Sequence, residues 1–350
     1  MKKGIVLEGG GVKGAYQIGA YYAIKDCHVK IDGFVGTSIG SFNAAMLASG
    51  KFMELLNFWY NVSPGIILGF DENFINAFNG EDLSITTLKG AFNTLKNIIL
   101  NMGIDNKNLQ DKLYELLDFD DFKNSSYDFG LVTVRLPKME PVYVYKEDLS
   151  NIKELCEYIL ASCYLPVFRE KRIIDNHFYV DGGFYDNSPV EMLAKKGYEE
   201  IYVINVKGIG INRKYSNDNI KIINVKPSRN NGSILELSTD VIRDNIKMGY
   251  YDTLRIVKKL DGFKYCFYKK SDFYYDFILR KIDKRLIRRV SNFFNVSDNR
   301  DIVIKALEYV LEKDNVNYYD IYRVGKLLKL YRKNTNKNFV YKFVSQLRFF

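Results

Sequence analysis

"FVGTSIGSFNAAMLASG" (residues 34–50) runs from an apolar strand through Gly36-Thr37-Ser38-Ile39-Gly40 into a helix of small residues. The pattern is G-x-S-x-G, the sequence shape of a nucleophile elbow, in which a serine tops a sharp strand-to-helix turn. Glycines on both sides permit the strained backbone, Ser41, Ala44 and Ala45 let the helix lie close on a sheet, and Gly50 closes it. A serine hydroxyl is a poor nucleophile until a base takes its proton, and the usual base is histidine. Only two histidines are available, His28 and His177.

Immediately upstream, "EGGGVKGA" (8–15) follows a short apolar strand, "GIVLEG" (4–9), and opens a helix at "GAYQIGAYYAIKDC" (14–27). Glycines there let backbone N–H groups face an anion, and the helix N-terminus adds a favourable dipole. Gly9-x-Gly11-x-x-Gly14 also satisfies a dinucleotide-binding pattern. That use wants an acidic residue at the end of the second strand. Gly36-Thr37-Ser38 stands there instead, and Asp32 lies at the other end of the strand. A Walker-type loop fails too, because no Lys-Ser/Thr follows Gly14. The competing use is an oxyanion hole for the charge that develops when Ser38 attacks a carbonyl. A glycine turn that serves close packing alone is the plain alternative.

The surrounding chain is that of a globular α/β protein. Its 350 residues are 47% apolar and 27% charged, enough to bury a full core. No secretory leader fits "MKKGIVLEGGG", and no later stretch reaches the length of an apolar span. Cys27, Cys156, Cys163 and Cys266 are scattered, without metal-ligand spacing, and read as reduced core residues of a cytoplasmic protein. No metal or other cofactor is expected. Strands are expected at "GFVG" (33–36), "FGLVTVRL" (129–136), "PVYVYKE" (141–147), "HFYVDGG" (177–183), "EIYVINV" (200–206) and "KIINVK" (221–226). "NIKELCEYILASC" (151–163) has helical spacing and stops before Pro166. Residues 51–127 read as an inserted helical cap, with apolar loops at 64–70 and 164–168 suited to an acyl chain or to ordinary core.

Neither histidine suits Ser38. His28 precedes the second strand and belongs at the opposite end of the sheet. His177 stands four residues before Asp181 on one strand, about 13 Å away at 3.3 Å per residue. "DGGFYDNSPV" (181–190) offers an aspartate at a strand end, Gly182 and Gly183 for a tight turn, and Asn187-Ser188-Pro189 before a helix. Alone it would read as an Asp-Gly turn with a helix cap.

In this order and context the segments resemble the patatin-like phospholipases, bacterial type, over residues 1 to about 260. The glycine-rich motif of that family matches Glu8 to Gly14, with Lys13 at its basic position and Glu8 in place of the family's aspartate. Its nucleophile motif matches Gly36 to Gly40, the A-S-x-x-x-P part of its A-S-x-x-x-P-x-x-F segment matches "ASCYLPVF" (161–168), where the phenylalanine comes one position early, and its D-G-G with N-x-P matches 181–189. "MGYYDTLR" (248–255) is similar to a further stretch of bacterial members. The resemblance implies a three-layer α/β/α fold and a lipid acyl hydrolase with a Ser-Asp dyad. Ser38 would be its nucleophile, Asp181 its base, and Gly9, Gly10 and Gly11 its oxyanion hole. Lys13 would orient the loop or meet a lipid phosphate. A nucleotide-binding protein using the glycine loop and a non-catalytic membrane scaffold are the alternatives.

Charge separates the rest of the chain. Residues 261–350 hold 20 Lys and Arg against 10 Asp and Glu, whereas the remaining 260 residues hold 31 against 32. We therefore expect a boundary near 260 and a basic, aromatic-rich helical extension after it. Within "YDFILRKIDKRLIRRV" (275–290), helical spacing puts Lys281, Lys284, Arg285, Arg288 and Arg289 on one face. Tyr275, Leu279, Ile282, Leu286 and Val290 fall opposite. The expected partner of such a face is an anionic membrane surface, or water alone. No nucleic-acid-binding motif accompanies it.

Overall fold

Two short apolar runs, β1 (Lys3–Leu7) and β2 (Gly33–Thr37), pair in parallel from Gly4 with Gly33 to Leu7 with Gly36. The helix between them, α1 (Ala15–Asp26), makes this a crossover unit. The computed structural model describes residues 1–62, 107–164, 173–215, 219–234 and 238–348. It divides into two compact units, Met1–Tyr250 and Tyr251–Phe350. Packing thus changes about ten residues before the composition does.

In the first unit, β2 leads into α2 (Ile39–Ala48) and α3 (Phe52–Asn61). After the undescribed residues come α4 (Lys107–Leu116), α5 (Phe119–Asn124), β3 (Asp128–Arg135), β4 (Glu140–Tyr145) and α6 (Ile152–Ser162). Then follow β5 (Ile173–Ile174), β6 (His177–Asp181), α7 (Val190–Lys195), β7 (Glu200–Ile204), β8 (Lys221–Val225) and α8 (Thr239–Val257), of which the residues up to Tyr250 belong to this unit. The strands form one mixed sheet in the order β5-β6-β3-β2-β1-β7-β8, with β4 beside β3. Chain connections run one way from β1 to β2 and place β7 on its other side, so the strand order reverses at β1 while the strands stay parallel. Ligands of open α/β sheets bind outside the carboxyl ends of strands at such a reversal.

Helices cover both faces of this sheet, giving a mixed three-layer α/β/α architecture. On one face α2 and α6 pack against β3, and α3 packs on α1 and α2. Phe34 meets Tyr21 of α1 edge-on at 5.4 Å between ring centres. On the other face Val6, Val35, Val132 and Val203 pack with Val190, Met192 and Leu193 of α7. Alternation along the strands sends successive residues to opposite layers. Of the segment read as a cap, the described ends are helical and pack on this framework, with Trp59 of α3 fully buried. Residues 63–106, including the 64–70 loop, and residues 165–168 of the second loop lie outside the described residues.

Within the second unit, β9 (Cys266–Phe267) and β10 (Ile321–Tyr322) pair in parallel. Around them lie α9 (Asp272–Leu279), α10 (Lys284–Phe294), α11 (Asn299–Lys313), α12 (Val324–Tyr331) and α13 (Phe339–Gln346). They enclose a core of their own built on Tyr275, Val290, Leu307, Leu311 and Phe343. The continuous helix expected over 275–290 is two helices. Asp283 leaves helical geometry and its carboxylate takes the N–H of Arg285, capping α10. Short polar side chains compete for nearby backbone donors and so favour caps over helix interiors. Lys281 therefore sits in the turn between the helices, while Lys284, Arg285, Arg288 and Arg289 share the exposed side of α10.

Candidate active site

Ser38 lies between β2 and α2 with φ 56° and ψ −134°, a conformation that side-chain-bearing residues rarely adopt. The neighbouring groups hold it there. Its N–H donates to Ser162 Oγ at 2.9 Å, and that hydroxyl donates in turn to the Val132 carbonyl at 2.6 Å. Its carbonyl accepts the Ser41 N–H at 2.7 Å and the Ser41 hydroxyl at 2.6 Å. Strained residues persist where surrounding bonds over-determine them, and such residues cluster at functional sites. A Cβ on Gly40 would lie 2.2 Å from the Leu7 carbonyl oxygen, and one on Gly36 would lie 2.2 Å from that of Gly40. The turn closes only with glycine at both places.

Asp181 ends β6, and its backbone N–H donates to the Tyr164 carbonyl at 2.7 Å. Its side chain is buried, accepts the Gly183 N–H at 2.7 Å and faces the Ser38 side chain. Burial raises its pKa to about 6, against the lowering effect of the Ser38 hydroxyl and the Gly183 N–H. A hydroxyl thus faces a carboxylate that binds a proton more readily than an exposed aspartate does.

The glycine loop reaches the same place from β1. A Cβ on Gly9 would come within 3.0 Å of Ser38 Cβ. The Gly9 N–H is directed at the Asn187 carbonyl at 3.3 Å, and the Gly9 carbonyl accepts from Asn187 Nδ2 at 3.2 Å. Gly9 is thereby tied to Asn187, whereas the N–H groups of Gly10 and Gly11 donate to no acceptor among the described residues. Gly10 precedes and Gly11 opens a one-turn helix, Gly11–Gly14, whose first donors are unused within the helix. Asn187 does not cap α7, which begins at Val190 after Pro189.

Two charged side chains fix this loop. Glu8 is fully buried, and its carboxylate accepts from the Val206 N–H at 2.6 Å, Asn212 Nδ2 at 3.0 Å, Asn205 Nδ2 at 3.3 Å and the Gly208 N–H at 3.4 Å. Burial raises its pKa, and these bonds oppose the shift. The Lys13 ammonium donates to the Lys207 carbonyl at 3.2 Å, on the same 205–212 segment, so it braces the loop. Burial lowers its pKa.

Asp186, also buried, has its pKa raised to about 6 by burial, eased by the Ser188 N–H and the Tyr143 hydroxyl. Its backbone carbonyl accepts from Thr37 Oγ1 at 2.8 Å. The two histidines lie elsewhere: His28 is exposed beyond α1, and exposed His177 begins β6 with its Nδ1 2.7 Å from the Asp175 carbonyl oxygen. Among the described residues no cluster of three or more His, Cys, Asp and Glu is placed to hold a metal ion. None of the four cysteines is in a disulfide, and Cys156 and Cys266 are buried.

The family model of the patatin-like phospholipases matches residues 5–194, which contain Ser38, Asp181, Asn187 and the glycine loop. The chain belongs to this family. Among similar proteins, the probable lipid hydrolase 463L of Invertebrate iridescent virus 6 is 24% identical over 203 residues, or 55% of this chain and 63% of that protein. The patatin-like chain thus spans less than two thirds of that relative's length. The crystal structure of VipD from Legionella pneumophila aligns with 99% of this chain and 85% of its own, at 14% identity and a TM-score of 0.43.

Proposed function

We propose that this patatin-like protein hydrolyses carboxylic esters of phospholipids or related acylglycerols through a Ser38–Asp181 dyad. The observation that carries the proposal is the Ser38 hydroxyl facing the buried Asp181 carboxylate, beside the two unused N–H groups of Gly10 and Gly11. The family and the viral lipid hydrolase support a lipid ester as substrate.

In this reading Asp181 takes the Ser38 proton as Oγ bonds to the ester carbonyl carbon. The carbonyl oxygen becomes an oxyanion and receives the Gly10 and Gly11 N–H groups. One such donor is worth about 2.7–4 kcal/mol in the transition state. Asp181 then gives the proton to the leaving alcohol oxygen as the C–O bond breaks, leaving an acyl-Ser38 ester. Water, deprotonated by Asp181, attacks that ester, and Ser38 recovers its proton as the fatty acid departs.

The purified chain should react with a fluorophosphonate at Ser38 and hydrolyse a soluble short-chain ester, with both properties lost in Ser38→Ala. Absence of labelling, together with nicotinamide or flavin absorbance in the purified protein, would favour the nucleotide-binding alternative. Labelling without hydrolysis of any member of a lipid panel would favour a scaffold.

The proposal extends to the second unit by itself. Lys284, Arg285, Arg288 and Arg289 are exposed on α10 and have no carboxylate within 4 Å among the described residues. Phe293 on the same helix is 52% exposed, and the Arg289 guanidinium lies 4.2 Å from the Phe339 ring centre. Basic groups interleaved with exposed aromatics suit an anionic lipid surface. No described helix is long and apolar enough to cross a membrane.

A further inference from the structure

A chain of fully buried polar side chains joins the glycine loop to the helix of Ser38. Gln17 on α1, Asn43 on α2 and Trp59 on α3 have no solvent exposure. Gln17 Nε2 donates to the Glu8 carbonyl at 2.6 Å, where the loop begins. Asn43 Nδ2 donates to the Gly14 carbonyl at 3.2 Å, where the loop ends, and to Gln17 Oε1 at 2.7 Å. The Trp59 indole N–H donates to Asn43 Oδ1 at 2.8 Å.

The indole contact decides which way the Asn43 amide faces. Indole nitrogen is only a donor, so it claims the amide oxygen and turns the NH₂ toward the loop. Both ends of the 8–14 loop are then pinned through side chains to α2, five residues beyond Ser38. Apolar groups of similar shape would fill the same space, at the loss of these donors to the Glu8 and Gly14 carbonyls. What the chain adds is direction. An oxyanion donor is useful only when it points at the site of the developing charge, and misplacement of about 1 Å can cost a hundredfold in rate.

We infer that Gln17, Asn43 and Trp59 are positioning residues that aim the Gly10 and Gly11 N–H groups at the carbonyl attacked by Ser38. The inference rests on the dyad reading above. None of the three touches substrate, so their effect must appear in the transition state rather than in substrate binding.

The test compares Trp59→Phe, Gln17→Met, Asn43→Leu and the Gln17→Met/Asn43→Leu pair with the intact chain and with Ser38→Ala. Each is assayed on a soluble short-chain ester and on a trifluoromethyl ketone analogue, whose serine adduct carries the oxyanion. Folding is checked by circular dichroism and thermal melting. Trp59→Phe keeps an aromatic ring in the core while removing the indole donor and part of the ring, so it reports even if the polar deletions fail to fold. We expect kcat to fall 10- to 100-fold with KM changed less than threefold, and ketone affinity to fall in parallel. Wild-type kcat and ketone affinity in folded Trp59→Phe, with only a lower melting temperature, would overturn the inference. An inactive intact chain, or an active Ser38→Ala, would instead count against the dyad itself.

Discussion

Thr37 and Asp181 meet end to end along one edge of β3, Thr37 paired with Val132 and Asp181 with the next residue, Thr133. The two strands approach from opposite directions, β2 parallel to β3 and β6 antiparallel to it. Their carboxyl ends therefore converge, while β4 takes the other edge of β3. The residue after Thr37 is Ser38, so hydroxyl and carboxylate are brought together by sheet register. Rigid elements hold reacting groups more closely than loops do, and proximity of this kind is a large part of catalytic rate.

A dyad set by register should fail as a unit. Ser38→Ala and Asp181→Asn are each expected to lower kcat on a soluble ester by at least a thousandfold, and the double variant should be no worse than either. His28→Ala and His177→Ala should keep full rates, because both histidines lie away from Ser38. Kinetic constants of the five variants, with circular dichroism as a control on folding, check this. A thousandfold loss in a folded histidine variant would mean the base is misassigned.

How much of this was legible in the sequence depends on the range of the interactions. The strand-turn-helix around Ser38 and the turn after Asp181 are written in local glycine and apolar patterns, and the structure has both where the patterns put them. Partners chosen by distant packing left no local sign. Ser162 was visible only as part of a motif, yet it holds the Ser38 backbone across 124 positions of sequence. Asn187 read as a helix cap, because Asn-Ser-Pro before a helix suggests one. Its hold on Gly9 spans 178 positions. In the basic segment the 3.6-residue spacing was real, but it did not register that Asp283 would rather cap a helix than sit inside one.

The raised pKa of Asp181 sets both activity and stability against pH. As a base it works only when ionised, so kcat/KM should fall about tenfold per pH unit below about 6 and level off above 7. Stability runs the other way. A carboxyl whose folded pKa exceeds its unfolded value near 3.8 favours the fold most below pH 3.8, and that contribution is lost as pH rises through about 6. Asp181→Asn removes the buried charge and should stabilise the protein at pH 7 by up to about 3 kcal/mol, an advantage that vanishes near pH 4. Asp186 shifts in the same direction, so the comparison must be made between these two proteins. Urea melts at pH 4 and pH 7 decide the matter.

Ser162→Ala should separate backbone support from chemistry. The substitution leaves the Ser38 N–H buried without its partner, a loss of about 1–3 kcal/mol. Relief of the φ 56° geometry should then turn the Ser38 hydroxyl away from Asp181 and lower kcat roughly tenfold or more. Fluorophosphonate labelling rate reads this directly, and unchanged labelling would show that Ser41 alone suffices to hold the turn.

Glu8 makes a comparable prediction for the glycine loop. Its carboxylate satisfies four donors of the 205–212 segment, the Val206 N–H buried and the other three part-buried. Glu8→Leu would strand the buried Val206 N–H and release the others, and should destabilise the protein by about 1–3 kcal/mol. Glu8→Gln keeps one oxygen acceptor but turns an NH₂ toward other donors, so an intermediate loss is expected. Chemical denaturation of both variants gives the order, and Glu8→Leu as stable as the intact chain would remove the brace from the account.

The exposed side of α10 should behave as a salt-sensitive lipid contact. Each Lys or Arg near an anionic bilayer contributes about 1 kcal/mol, screened within a Debye length of about 10 Å at 0.1 M salt. Four such groups, unpaired by carboxylates, are enough for reversible attachment without a membrane-spanning helix. Changing Lys284, Arg285, Arg288 and Arg289 together to Gln keeps helix-forming residues and leaves the apolar side, Leu286, Ile287 and Val290, on its core. The variant should lose most binding to vesicles containing phosphatidylserine in sedimentation assays, while hydrolysing a soluble ester at the rate of the intact chain. Purely phosphatidylcholine vesicles should bind neither protein well. The intact chain should release the anionic vesicles between 0.1 and about 0.5 M salt, because screening shortens the reach of each charge. Equal binding by the variant would leave α10 as a packing element with a solvated basic face, and strong retention of nucleic acid by the intact chain would replace the bilayer with a different polyanion.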